Sequence, residues 1–167
     1  ASADFRCVIV AGGGRFADEV RTLQDRWLFS DSVAHHLAID CMALNARVLA
    51  ALLPETPPLL DLTPLAPDEN PASCRVWLPQ APYRNLDLPH SWTVSADSIA
   101  FRVCQRLAGE RLILVKSNAL TDATEGACED YAARGIIDTH LPELLRGSVL
   151  PTYVMSKFAL VNFAAAW

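Results

Sequence analysis

A β-branched apolar run passes directly into three consecutive glycines, and a helical pattern follows at once. Residues 6–11 (Arg-Cys-Val-Ile-Val-Ala) predict a short strand. Gly12, Gly13 and Gly14, hereafter the glycine turn, predict a tight bend. From Arg15 onward, apolar residues recur at helical spacing. A strand that enters a helix through so short a turn indicates a fold in which strands and helices alternate.

The remainder of the chain continues this alternation. A long helix is predicted from Asp31 to Leu53, with Ser30 or Asp31 as its cap and Pro54 at its end. Shorter patterns predict helices over 95–107, 129–134 and 139–145, and strands over 75–78, 112–115, 153–155 and 160–163. Six of the 11 prolines lie between 54 and 71, so residues 54–72 predict a loop. We therefore expect one α/β domain over residues 1–167, with a mainly parallel sheet.

The composition narrows the classes of function. The chain has 167 residues, of which 51% are hydrophobic, and this excludes a disordered protein. A net charge of −5 and the lack of a basic stripe argue against nucleic acid as a partner. No apolar run reaches the ~18 residues of a membrane span, and we expect no secretory leader. Five scattered cysteines without a C-x-x-C pair indicate reduced thiols and a cytoplasmic protein.

Two segments next to predicted helix starts have both a functional and a structural interpretation. The glycine turn either brings backbone N–H groups to an anion at a helix N-terminus or only makes a tight turn. Asp97 lies in the first turn of the helix that Ser95 would cap, where it either serves a site or only favours the helix dipole. His90 and Trp92 precede that helix, where they either line a ligand pocket or cover the edge of the core.

The end of the strand over 112–115 is a third candidate. Lys116, Ser117 and Asn118 follow it, and ligands of open α/β sheets bind beyond the carboxyl ends of strands. Lys116 either binds a phosphate there or is an ordinary solvated residue at the end of a strand. His35 and His36 are neighbours on the long helix and point about 100° apart, so they cannot chelate one metal as an i, i+4 pair could. We expect no metal site built by the protein alone.

Three segments in order resemble the amino acid kinase family, which includes acetylglutamate, aspartate and uridylate kinases. They read V-I-V-A-G-G-G-R-F-A-D-E-V-R, S-W-T-V-S-A-D-S-I-A and L-A-G-E-R-L-I-L-V-K-S. The chain is most similar to the small branch that contains the aminomethylfuran phosphate kinase of methanofuran biosynthesis. The resemblance covers residues 7–118 well and extends loosely to 162. It implies a three-layer α/β/α sandwich.

The resemblance also implies roles for single residues. The glycine turn, Arg15 and Ser95 would bind the substrate. Asp97 matches the acid that positions the catalytic lysines, and Lys116 would be catalytic. Lys116, Ser117 and Asn118 would contact the nucleotide, so ATP and Mg²⁺ are the implied cofactors. The helix over 31–53 matches the one that often builds the family's dimer.

The chain departs from the family pattern at its lysines. The opening strand with its K-x-G-G-S loop and the later G-G-M-x-x-K segment have no match, and Lys116 and Lys157 are its two lysines. Two hypotheses follow. The first is an ATP-dependent phosphotransferase that acts on a small molecule in coenzyme biosynthesis of the methanofuran or tetrahydromethanopterin type, or in one-carbon metabolism. The second is a kinase-fold protein without phosphotransfer activity that binds a ligand or a partner subunit. Under both we expect a homo-oligomer, with a hetero-subunit as an alternative.

Overall fold

The structure is a computed structural model that describes residues 6–64, 73–80, 86–117, 128–157 and 159. The described residues form five strands and five helices in mixed order. The strands are β1 (Cys7–Ile9), β2 (Pro58–Leu59), β3 (Cys74–Trp77), β4 (Leu112–Lys116) and β5 (Thr152–Ser156). The helices are α1 (Gly14–Trp27), α2 (Asp31–Leu52), α3 (Ala96–Arg106), α4 (Cys128–Ala133) and α5 (Leu141–Arg146).

Every strand pair in the described residues is parallel. In one sheet β3 lies between β1 and β2, and in the other β4 pairs with β5. The second pairing runs from Leu112 opposite Thr152 to Lys116 opposite Ser156. Lys116 and Ser156 therefore end their strands at the same edge of this sheet, which is the edge where α/β proteins bind ligands.

Helix α3 joins two hydrophobic clusters. Its Ile99 and Val103 pack into a cluster with the buried Trp77 of β3. Its Ala100 and Phe101 pack into a second cluster with Leu114 of β4. Phe101 is fully buried. Because the two faces of one helix enter both clusters, the position of the α3 N-terminus is fixed from both sides.

Helix α2 buries one face, which includes the large residues Ile39 and Met42 and several alanines, and exposes a row of other large apolar residues. Ala34, Ala43 and Ala46 are buried, while Leu44 is 45% and Val48 53% exposed. The exposed residues, hereafter the outer stripe of α2, are Val33, Leu37, Leu44, Val48 and Leu52. Ser30 caps the helix, since its Oγ accepts a hydrogen bond from the Val33 N–H. None of the described helices is apolar over enough of its length to cross a lipid bilayer.

The mixed α/β class with parallel strands is confirmed, and the helices agree with the predicted segments to within a few residues. The loop prediction over 54–72 was wrong in part, because Pro58 and Leu59 form an edge strand. Leu59 is buried, and its carbonyl accepts from the Leu78 N–H at 2.9 Å. Proline is compatible with an edge strand, where its missing N–H removes no ladder bond. The predicted strand over 160–163 lies outside the described residues, and the amino acid kinase fold stays a prediction.

Candidate functional site at the start of helix α3

The glycine turn lies against the start of α3. A Cβ placed on Gly12 would be 3.7 Å from the Ala96 Cβ, and one placed on Gly13 would be 2.6 Å from the Ala17 Cβ. Gly14 has φ +52°, a conformation that L side chains rarely adopt. The turn thus needs glycine at its last two positions, and it brings the N-termini of α1 and α3 side by side.

Asn45 of α2 holds the glycine turn from behind. Its Nδ2 donates to the Gly12 carbonyl at 2.7 Å. Gly13 precedes α1 at the N-cap position, and no side chain caps this helix. The partial positive charge of the α1 N-terminus therefore has no carboxylate beside it in the first turn.

Asp97 and Lys116 form an ion pair between the first turn of α3 and the carboxyl end of β4. The Lys116 Nζ donates to both carboxylate oxygens of Asp97 at 2.7 Å. The Lys116 side chain is 18% exposed and that of Asp97 10%. A two-oxygen contact at this distance is a strong charge-assisted geometry. Little water reaches the pair, so each charge depends on the other.

Burial raises the pKa of the Asp97 carboxyl above its ordinary value. The Lys116 ammonium opposes this rise, first by its charge and then by its hydrogen bonds. The Asp138 carboxylate raises the pKa of Asp97 further, whereas the Asp138 N–H, which donates to Asp97 Oδ2 at 3.1 Å, lowers it. The two donors thus favour the ionised form of Asp97, and burial opposes it with the larger effect.

Asp138 is a buried carboxylate that links α3 to α5. Its Oδ2 accepts from the Ser95 N–H at 2.8 Å, the Ser95 hydroxyl at 3.0 Å and the Ser98 N–H at 2.9 Å. Its Oδ1 accepts from the Ser98 hydroxyl at 2.7 Å and the Leu141 N–H at 2.8 Å. One carboxylate thus satisfies backbone donors at the start of both helices.

The structure brings some of the predicted site residues together and leaves others apart. The glycine turn, Ser95 and Asp97 all lie at the start of α3, and Lys116 reaches them from β4. Ser95 is a helix cap, since its hydroxyl donates to Asp138 and accepts from the Asp97 N–H at 3.3 Å. Arg15 is exposed on α1 and makes no ion pair with any other described residue. Ser117 is exposed after β4, and Asn118 lies outside the described residues.

Sequence reasoning missed Asp138 and Asn45. Asp138 follows the apolar pair Ile136–Ile137 and precedes α5 by three residues, a position that signals only a helix start. Its contact with Ser95 spans 43 residues, and that of Asn45 with Gly12 spans 33. No local pattern indicates such distant contacts, because both are set by the packing of helices against sheets.

Two other features lie away from this site. A cavity of about 380 Å³ between α4, α5 and the start of β5 lies at the amino end of β5, opposite the end near Lys116. The rings of His35 and His90 stack with centroids 4.6 Å apart, and His36 meets His90 edge-on at 4.8 Å. Among the described side chains, no three metal-ligating groups converge as a metal ion needs.

These contacts define an α/β protein with parallel strands and a buried ion pair where a strand end meets a helix N-terminus. No family model matches the chain. The chain is similar to the [5-(aminomethyl)furan-3-yl]methyl phosphate kinase of Methanocaldococcus jannaschii, with 28% identity over 162 residues. The similarity covers 90% of this chain and 74% of that relative. A kinase is thus similar to this chain over most of its length.

Proposed function

We propose that the chain is an ATP-dependent phosphotransferase that acts on a small phosphorylated or hydroxylated molecule in coenzyme biosynthesis. The observation that carries the proposal is the Asp97–Lys116 ion pair beside the glycine turn. The similarity to a named kinase over most of the chain supports the same chemistry. The predicted pathway, of the methanofuran or tetrahydromethanopterin type, is part of this proposal.

Phosphoryl transfer depends on positioning and on cations that neutralise the charge of the transferred group. Lys116 is the cation of this site, and its ammonium is oriented by both oxygens of Asp97. Asp97 thus holds Lys116 in place and does not itself exchange a proton with the substrate. Loss of a group that stabilises transition-state charge typically costs about 3 to 4 kcal/mol of barrier, roughly a hundredfold to a thousandfold in rate.

The glycine turn and the N-terminus of α1 beside it suit an anionic acceptor. Gly12 is exposed and carries no side chain, so a ligand can approach its backbone closely. The N-terminus of α1 presents partial positive charge at this place, whereas the donors at the start of α3 are taken up by Asp138 and Ser95. Arg15, in the first turn of α1, adds a full positive charge near the opening. A phosphate ester is an acceptor that this arrangement would bind.

The nucleotide would bind beyond the carboxyl ends of β4 and β5. Lys116 and Ser117 lie there, and the charge of Lys116 fits a phosphate. Mg²⁺ supplies charge neutralisation between phosphate oxygens when it is bound. The described side chains do not form a cage for it, since no three ligating groups meet. Water molecules and the phosphates themselves would provide most of its ligands, as is usual for Mg²⁺ in nucleotide sites.

Calorimetric titration with MgATP tests the proposal. We expect saturable heat at millimolar nucleotide, and a loss of at least tenfold in affinity or turnover in K116M. The matched control is R106M, which removes a cation from the exposed Arg106–Asp87 pair at 3.3 Å. No heat from the wild-type chain at millimolar MgATP would contradict the proposal. It would favour the second hypothesis, a protein of this fold that binds a ligand or a partner subunit without transferring phosphate.

A second copy of the chain is the partner that we propose. The outer stripe of α2 places five large apolar side chains on one exposed face. Over its 22 residues the helix is about 33 Å long, so two such faces can bury a continuous apolar strip. A hetero-subunit that covers the same face is the alternative, and the measured mass of the assembly distinguishes the two.

A further inference from the structure

The buried carboxylate of Asp138 lies between the starts of α3 and α5, next to the Asp97–Lys116 pair. It is 9% exposed and accepts five hydrogen bonds. Three of the donors are backbone N–H groups, those of Ser95, Ser98 and Leu141. All five partners are donors, so only a group that accepts with both oxygens satisfies them.

The first turn of α3 is fixed by these bonds. Asp138 accepts from the N–H groups of Ser95 and Ser98, which flank Asp97 in the chain. It also accepts from the Ser95 hydroxyl, which in turn accepts from the Asp97 N–H. The backbone of Asp97 is thereby held on both sides, and this fixes the direction of its Cα–Cβ bond.

The backbone of Asp138 reaches the carboxylate of Asp97 directly. Its N–H donates to Asp97 Oδ2 at 3.1 Å, the oxygen that also accepts from Lys116 at 2.7 Å. The same residue therefore places the helix that carries Asp97 and orients the carboxylate itself. A residue that only capped α3 would need the bonds from its carboxylate to the helix backbone. It would not need the bond from its N–H to the Asp97 carboxylate.

We propose that Asp138 is a positioning residue that sets the geometry of the Asp97–Lys116 pair and hence the placement of the Lys116 ammonium for phosphoryl transfer. The expected effect on turnover rests on the proposed function. The structural part of the inference, that the position of Lys116 depends on Asp138, is independent of that function. The two parts are therefore measured separately.

The structural part is measured on Lys116 itself. The chain has two lysines, so protein labelled with ¹³C and ¹⁵N lysine gives two side-chain resonances, and K157R assigns them. In D138N an amide NH₂ must face donors where a carboxylate oxygen accepted. We expect the Lys116 ¹³Cε and ¹⁵Nζ resonances to shift and its ammonium protons to exchange at least tenfold faster. The Lys157 resonances should stay in place as the internal reference.

The consequence for turnover is measured with MgATP and the aminomethylfuran phosphate that the relative is named for. In D138N we expect kcat to fall at least thirtyfold, with KM for MgATP within threefold of wild type. The control is S30A, which removes the Ser30 cap of α2 and leaves the bonds of Asp138, Asp97 and Lys116 in place. It should lower thermal stability and leave both the Lys116 resonances and kcat unchanged.

Folded D138N with unchanged Lys116 resonances would overturn the inference and leave Asp138 a helix cap. If D138N does not fold, S98A takes its place, because it removes one donor to Oδ1 and retains the carboxylate. The expected change at Lys116 then has the same direction and a smaller size, and unchanged resonances again overturn the inference. A wild-type chain that gives no phosphotransfer would remove the proposed function, and the Lys116 resonances would still decide the role of Asp138.

Discussion

The Asp97–Lys116 pair is held by short contacts in a place that water hardly reaches. Removing one member of a buried ion pair leaves the other charge uncompensated, which costs about 3 to 5 kcal/mol. We therefore expect D97N and K116M each to lower the free energy of unfolding by about 3 kcal/mol. The double variant D97N/K116M should lose clearly less than the sum of the two, since neither charge then remains alone. Urea unfolding of the four proteins measures this coupling.

The exposed Arg106–Asp87 pair provides the control for this cycle. Its two side chains are 43% and 80% exposed, and exposed pairs contribute about 0 to 1 kcal/mol. The cycle of D87N and R106M should therefore give a coupling close to zero. A coupling energy between Asp97 and Lys116 no larger than that of this surface pair would contradict the conclusion that they form a buried ion pair.

His35 makes stability depend on pH. Its burial, together with the charges of His90 and His36, lowers the pKa of His35 from 6.5 to about 4. Between these values the unfolded chain binds a proton that the folded chain does not. Stability is thus complete above pH 6.5 and falls as the pH drops toward 4. At pH 5 the loss from this group is on the order of 2 kcal/mol, because one pKa unit corresponds to about 1.4 kcal/mol.

The variant H35F separates this effect from other titrations. Phenylalanine retains a ring that can stack on His90 and cannot take up a proton. Urea unfolding at pH 7.5 and pH 5.0 should show a smaller difference between the two pH values in H35F than in wild type. Equal differences in the two proteins would show that His35 does not carry the dependence.

At the scale of single elements, α2 shows what a sequence pattern reports and what it omits. Val33, Leu37, Leu44, Val48 and Leu52 recur at helical spacing, and the helix predicted from Asp31 to Leu53 is observed as Asp31–Leu52. These five residues do not face the core. Ile39, Met42 and the alanines face it instead, and the small alanine side chains allow α2 to approach α1 and the glycine turn closely: Gly13 lies near the Ala38 carbonyl and the Cys41 Cβ.

The outer stripe of α2 predicts a dimer. Light scattering should give a mass of about twice the 18.2 kDa of the chain. V48D places a charge in the middle of the stripe, where burying it without a partner is costly, and should return the mass to that of one chain. E19K changes an exposed charge on α1 and serves as the control. A wild-type chain that is monomeric at about 100 micromolar would contradict the prediction that the outer stripe of α2 forms a dimer interface.

At the scale of the whole molecule, α3 couples the two hydrophobic clusters. Phe101 belongs to the cluster of β4, while Ile99 and Val103 belong to that of β3. We expect F101A to destabilise the entire described fold by about 3 to 5 kcal/mol. Circular dichroism and the fluorescence of the buried Trp77 should give the same unfolding midpoint. Two separate midpoints would show that the clusters unfold independently.

Some features of the site could be predicted because they are local in the sequence, and others could not because they depend on how α3 packs. The glycine turn, the Ser95 cap and the first-turn Asp97 are local features, and the sequence indicated each of them. They lie close together in the fold, since a Cβ placed on Gly12 would be 3.7 Å from the Ala96 Cβ. The partnership of Asp97 with Lys116 and the five donors around Asp138 depend on how α3 lies over β4 and α5. No spacing in the sequence encodes that placement.

The two-oxygen contact between Lys116 and Asp97 has a consequence for how fast a ligand arrives. The pair is neutral as a whole, and the chain carries a net charge of −5, so the attraction of Arg15 and the α1 N-terminus for a negatively charged ligand acts only at short range. Its association would be slow by comparison with electrostatically steered encounters. Added salt would not slow it further, because salt screens the repulsion between the ligand and the net negative charge of the chain. Selectivity for such a ligand would then come from short-range contacts made after arrival, expressed in the lifetime of the complex.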